Sequence, residues 1–259
     1  MSVASIVTPV FRLSFPQVFK ARAMKNEDGT EGKAKFSLTM LFIDQAPYLP
    51  KDASGNLICP SNMSPEAFDK LKADYAKDPT LLIQIRRLLY SACIDAWGDD
   101  RTKWSGIWRH DPSKQVIGVD FETYIDSEGK RFPIQNGNLK DYQGYAGHLF
   151  ARASCNEDRR PGIVARDGRT HITDPSQVCA GMLARANINA FAWSHPKGGK
   201  GVSLGLNHLQ IIADDGTRYG GGVALTDDTF GAYEGPAEDP SAYDTPGTAS
   251  GVQATDEAF

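Results

Sequence analysis

No stretch of this 259-residue chain comes near the roughly 18 uninterrupted apolar residues that a membrane-crossing helix needs, so no such span is expected. The first 20 residues lack a compact apolar run with a small-residue cleavage site, and no signal peptide is expected either. Cysteine is scarce: Cys59, Cys93, Cys155 and Cys179 stand 34, 62 and 24 residues apart. Without a CxxC pair, neither a zinc ribbon nor a redox motif is suggested, and the four read as reduced thiols of a cytosolic protein. The five histidines (His110, His148, His171, His195, His208) form no HExxH and no close pair. The Gly- and Lys-containing segment 194–203 does not have the GxxxxGK[ST] order that wraps phosphates.

The most informative absence is of one sign of charge. Residues 227–259 hold eight acidic side chains and no Lys or Arg. Without those eight, 28 basic residues face 24 acidic ones, so a body of +4 carries a tail of −8. Such polarity points to a polyanion-binding body with an interaction arm. The tail is rich in Gly, Pro, Ala, Asp, Ser and Thr and cannot bury enough surface to offset its ordering entropy. It is expected to be disordered from about residue 227, with an inert solubilising role as the plain alternative. Its end, Asp256-Glu257-Ala258-Phe259, sets two carboxylates beside an aromatic, a natural hook for a basic, apolar pocket on a partner.

The body reads mainly as strands. Phe36, Leu38, Met40 and Phe42 share one face of a period-two run, with Lys35, Ser37 and Thr39 opposite, which predicts a half-buried strand. Residues 11–22 read as its hairpin partner, with a bulge or break at Pro16. Alternation also predicts strands at 117–125 and from Val202 to the Asp214-Asp215-Gly216 turn. Residues 178–193 fit a strand or an Ala-rich helix, and two Asn residues with flanking strand signals favour the strand. One helical insertion spans about 64–97. Ser64 is its N-cap with Pro65 at the first position, and a second helix restarts at Asp78-Pro79 and runs to Trp97. The helical pair falls between two halves of a β-barrel.

Cations interleave with aromatics throughout the body. Lys103, Trp104, Trp108 and Arg109 make one such segment. Arg185 and Trp193 lead into Lys197 and Lys200. Lys20, Arg22, Lys33 and Lys35 flank the first hairpin, and Arg152, Arg159 and Arg160 surround a central loop. Single strands are held this way, with cations tracking phosphates while aromatic faces stack bases. The competing reading is that aromatics of a β-rich body fill its core. Gly98-Asp99-Asp100 resembles a polymerase metal motif but fits a helix C-terminal turn better.

Several short segments, taken in order, resemble one family. They are Arg12-Leu13-Ser14-Phe15-Pro16-x-x-Phe19, Phe36-Ser37-Leu38-Thr39, Ala153-Ser154 with Arg159-Arg160-Pro161, Cys179-Ala180-Gly181-Met182, Lys200-Gly201-Val202-Ser203-Leu204 and the Asp215-Gly216 turn. Together with the acidic, aromatic-ended tail they are similar to phage and prophage single-stranded DNA-binding proteins, relatives of the helix-destabilising protein of short-tailed coliphages. The resemblance covers roughly residues 8–225. It implies an OB-fold-like barrel, elaborated by helices, over residues 1–226, and non-catalytic binding of single-stranded DNA. It also implies an acidic arm, 227–259, that docks replication or recombination proteins and competes with DNA. The expected setting is DNA replication, recombination or repair in the cytoplasm of an infected bacterium, with no cofactor. Two other classes stay open: a metal-dependent nuclease using Asp99, Asp100 and scattered histidines, and a virion or adaptor module indifferent to nucleic acid.

Overall fold

Two hydrophobic periodicities build this molecule, and both are visible in a computed structural model that describes residues 4–23, 30–100, 133–195 and 199–219. These residues belong to the first of two units, Met1–Gly220; the second, Gly221–Phe259, lies outside the described residues. The predicted strand at 117–125 also lies outside them.

The strands are β1 (Ser5–Val7), β2 (Phe11–Arg22), β3 (Lys35–Phe42), β4 (Ile134–Asn136), β5 (Leu149–Asn156), β6 (Gly162–Val164), β7 (Leu183–His195) and β8 (Gly199–Ala213). Helices α1 (Pro65–Lys77) and α2 (Ile83–Trp97) lie between β3 and β4, so the class is mainly β with two helices. β2 pairs antiparallel with β3, β3 with β5, and β7 with both β2 and β8. A parallel pairing of β5 with β8 completes the circuit, and the hydrogen bonding of these five strands returns to its starting strand. β1, β4 and β6 add to the outside of β7, β5 and β8.

The core is the inward face of that circuit. Phe11, Leu13, Leu38, Met40, Ala151, Ala184, Ile188 and Leu204 are all buried there. Ile85, Leu89 and Cys93 of α2, four residues apart, add one apolar stripe to the same cluster. Each such Leu or Ile contributes about 1.5–3 kcal/mol on leaving water. Burial also pushes the Cys93 thiol up to about 12, which makes it a packing group. The four cysteines are free thiols.

β3 departs from the half-buried strand that its alternation predicts. Its second face is covered too: Ser37, Thr39 and Leu41 are buried, and Leu41 joins Tyr145 and Phe150 in a separate small core. The covering segment comes from about a hundred residues later, so no local pattern announces it.

The caps follow the sequence closely. The Ser64 hydroxyl accepts from the Ala67 N–H at 3.3 Å, with Pro65 opening α1. Asp74, buried on α1, takes both Arg87 nitrogens of α2 and ties the helices together. Two element starts come later than the sequence suggests. α2 begins at Ile83 and not at Asp78, because Leu81 takes a left-handed φ of 54°. The Asp78 carboxylate spans that turn, accepting from Thr80 and Ile83. β7 begins at Leu183 because Gly181, at φ 105°, lets the Thr217 carbonyl approach to where a Cβ would stand 2.1 Å away. Only glycine fits there.

Candidate nucleic-acid interface

Polar residues on the outward faces of β2, β3 and β5 stand in register. Lys35 lies between Arg22 of β2 and Asn156 of β5, Ser37 between Gln17 and Ser154, and Thr39 between Ser14 and Arg152. Because side chains alternate along each strand, these rows point the same way. The Arg152 guanidinium leans along the face and donates to the Ser37 hydroxyl at 2.9 Å.

Two clefts open on this face. One, of about 540 Å3, is lined by Lys33, Lys35, Ser154 and Asn156. The other, of about 520 Å3, is lined by Phe15, Gln17, Gln135, Lys140, Tyr142 and Tyr145, with Phe150 behind. Arg22 and Arg152 line both, so the clefts meet across two guanidinium groups. No acidic residue lines either one among the described residues.

The aromatic cleft is built by the segment 137–148 folding back over β3. Gly137 makes this possible: a Cβ there would stand 2.1 Å from the Tyr145 carbonyl oxygen and 2.7 Å from that of His148. The Gly137 N–H donates to the His148 carbonyl at 2.8 Å, and Asn138 Oδ1 accepts from the Gly147 N–H at 2.7 Å. Tyr145 is thereby buried, its hydroxyl 3.3 Å from Ser14 Oγ, and burial raises its phenol above the usual range. Its ring meets Phe150 at 5.0 Å and Tyr142 at 5.3 Å, both edge-on. Phe15 continues the series, 5.4 Å from Tyr142 and 6.4 Å from Tyr145.

Phe15 and Tyr142 are 50% and 54% exposed, unlike most large aromatics among the described residues. Phe15 also has a φ of 45° immediately before Pro16. Left-handed backbone at a non-glycine residue costs on the order of 1–3 kcal/mol, and the following proline disfavours it further. The strand advances three residues from Ser14 to Gln17 while its partner advances two from Thr39 to Ser37, so the bulge expected at Pro16 is present.

Of the cations predicted from sequence, Arg22, Lys33, Lys35 and Arg152 come together at the clefts. Lys20 is exposed on β2 but lines neither cleft, and Arg159 is exposed in the loop after β5. The Arg160 guanidinium lies over the Phe19 ring at 5.6 Å. Arg185 and Trp193 are placed elsewhere, in the packing of β7 on β8. Arg185 donates to Gln210 Oε1 at 2.8 Å, and Gln210 donates in turn to the Arg166 carbonyl. Trp193 Nε1 donates to Ser203 Oγ at 3.0 Å, its ring filling the space a Gly201 side chain would need. Lys103, Trp104, Trp108, Arg109, Lys197, the Lys200 side chain, and Asp256, Glu257 and Phe259 lie outside the described residues.

The residues that sequence reasoning missed are Phe15, Gln17, Gln135, Lys140, Tyr142, Tyr145 and Phe150. A signal was present. Lys140, Tyr142 and Tyr145 interleave charge and aromatics among glycines, the same pattern that singles out residues 103–109.

Of the two acidic pairs, Asp99-Asp100 follows a helix end and Asp214-Asp215 is held by arginines. Gly98, at φ 77°, closes α2 with its N–H on the Ile94 carbonyl, leaving Asp99 and Asp100 exposed past the helix end. Asp215 takes both Arg12 nitrogens, at 3.0 and 2.9 Å, which holds its carboxyl well below the usual range. Asp214 takes Arg218 likewise. Among the described residues no three His, Cys, Asp or Glu side chains are grouped to hold a metal ion.

Residues 114–240, just under half of the chain, match the family model described as the ssDNA-binding protein of Enterobacter phage Enc34. Protein p50 of Acyrthosiphon pisum secondary endosymbiont phage 1 is 31% identical over 123 residues, 44% of this chain. That match spans 65% of the relative's length. Among solved structures, the single-stranded DNA-binding protein of bacteriophage Enc34 aligns over 86% of this chain and 88% of its own, at 16% identity and a TM-score of 0.44. Gp2.5, the single-stranded DNA-binding protein of bacteriophage T7, aligns over 98% of this chain and 100% of its own, at 10% identity and a TM-score of 0.43. Over residues 114–240, then, this chain is similar to the phage single-stranded DNA-binding proteins that the Enc34 family model describes.

Proposed function

We propose that this protein binds single-stranded DNA without sequence preference and without chemistry on it. One observation carries the reading: a cationic cleft and an aromatic cleft merge across Arg22 and Arg152 on one polar strand face. The family match over residues 114–240 supports the same conclusion. Cations from β2, β3 and β5 would track the phosphates, while Phe15 and Tyr142 offer π-faces to which every base is equivalent. We read the closed five-strand circuit, with its parallel β5–β8 pairing, as an OB-fold-like barrel that holds this face rigid.

The setting we infer is phage DNA replication, recombination or repair within the infected cell. The acidic residues 227–259, ending in Asp256, Glu257 and Phe259, would compete with DNA for the cationic cleft and recruit partner proteins. Lys103, Trp104, Trp108, Arg109, Lys197 and Lys200 remain proposed DNA contacts on the strength of their residue types.

Fluorescence anisotropy of a labelled dT oligonucleotide, against a duplex of equal length, tests this reading. Four to five phosphates neutralised by Arg22, Lys33, Lys35, Arg152 and Lys140 predict a slope of log K against log salt of roughly −3 for single strands. A chain ending at residue 226 should bind more tightly. Equal affinity for duplex, or no binding by either form, would refute the assignment.

A further inference from the structure

We propose that Phe15 is the residue through which the aromatic cleft selects an unpaired nucleobase, its ring being presented by a strained bulge kept for that purpose. The inference rests on the single-strand reading above and assigns its specificity to one side chain.

Three observations converge on Phe15. Its backbone is left-handed immediately before a proline, at φ 45°, a conformation that glycine would adopt without strain. Its side chain is half exposed, so burial does not offset that strain. The extra residue between Ser14 and Gln17 places Phe15 at the mouth of the cleft, edge-on to the Tyr142 ring and tilted against that of Tyr145. A residue serving only the fold would not combine strain with exposure. Strain of this kind concentrates where a side chain must be held ready for a ligand, and bulges re-aim side chains at such places.

The ligand class follows from the chemistry of the mouth. An uncharged ring flanked by Tyr142, with Arg152 and Arg22 lining the same cleft, suits a flat aromatic group attached to an anionic backbone. A base inside a duplex has both faces covered by its neighbours, so only an unpaired base can lie on the ring.

Phe15→Gly, made in the full chain, separates this role from a structural one. Removing the ring while relieving the backbone should leave the thermal midpoint unchanged or raise it. Affinity for a dT oligonucleotide should fall roughly 5- to 150-fold, the loss of one stacked base. The salt slope should stay as in the wild type, because no charge is removed. The wild type's preference for dT over an abasic strand of equal length should shrink by the same factor. Phe15→Tyr, which keeps the ring, should bind within about twofold of the wild type. Unchanged affinity in Phe15→Gly would overturn the proposal. So would a fall in thermal midpoint shared by both variants, which would make Phe15 a packing residue. Failure of the wild type to bind any single strand would instead sink the function on which the proposal rests.

Discussion

Single residues divide the two clefts into a cationic part and an aromatic part. Arg152 belongs to the first and lies where the clefts meet. Arg152→Ala should weaken oligonucleotide binding about equally for all sequences and flatten the salt slope by about 0.7, the share of one phosphate contact. Anisotropy titrations across salt would show this, and a parallel shift with an unaltered slope would remove Arg152 from the phosphate path. Four of the cations read from the sequence, Arg22, Lys33, Lys35 and Arg152, line the clefts because Lys and Arg beside a strand mostly face solvent, while Arg185 pairs with Gln210 instead. Aromatics were not legible in the sequence, since composition does not say which rings are covered. Trp193 satisfies its N–H within the β7–β8 pairing, while Phe15, which looks like core, is turned outward by the bulge.

Among the elements, the segment 137–148 controls the aromatic cleft, and its conformation depends on Gly137. The added methyl of Gly137→Ala would meet the backbone oxygens of Tyr145 and His148, neither of which can swing aside. The segment must move, with overpacking typically costing 1–3 kcal/mol. Tyr142, Tyr145 and Lys140 would move with it, so stability and oligonucleotide affinity should fall together. Denaturant unfolding and anisotropy on the same preparation check both, and a variant unchanged in either would refute the argument. β2, β3, β8 and α1 were readable from hydrophobic period and capping residues. The starts of α2 and β7 were displaced by left-handed backbone at Leu81 and Gly181, the first within a turn spanned by the Asp78 carboxylate and the second against the Thr217 carbonyl, remote in sequence. For the same reason β3 read as half-buried, because the segment covering its second face is remote in sequence.

For the whole molecule, one side chain ties the closed strand circuit together. Arg12 of β2 donates to the Gly181 carbonyl ahead of β7 and to Asp215 just past β8, joining three parts of the circuit at one point. Asp215 is held below its unfolded value near 3.9, so this contact contributes fully above about pH 4. Its contribution is lost as pH falls through the depressed folded value. Asp215→Asn should therefore lower the thermal midpoint at neutral pH and flatten its dependence on acid. Melting curves from pH 7 downward measure this, and an acid limb as steep as the wild type's would exclude the pair as its source.

β8 pairs with β5, β6 and β7 at once and is, among the described residues, the last strand to leave the ribosome. A chain interrupted before residue 199 would retain much of the polar face of β2, β3 and β5 yet leave several strand edges without partners. Such fragments are material for aggregation or proteolysis rather than weak competitors for DNA. Placing the shared strand late makes the proposed binding surface an all-or-nothing product, so unfinished copies drop out of the pool instead of competing for the single strands that we propose the finished ones bind.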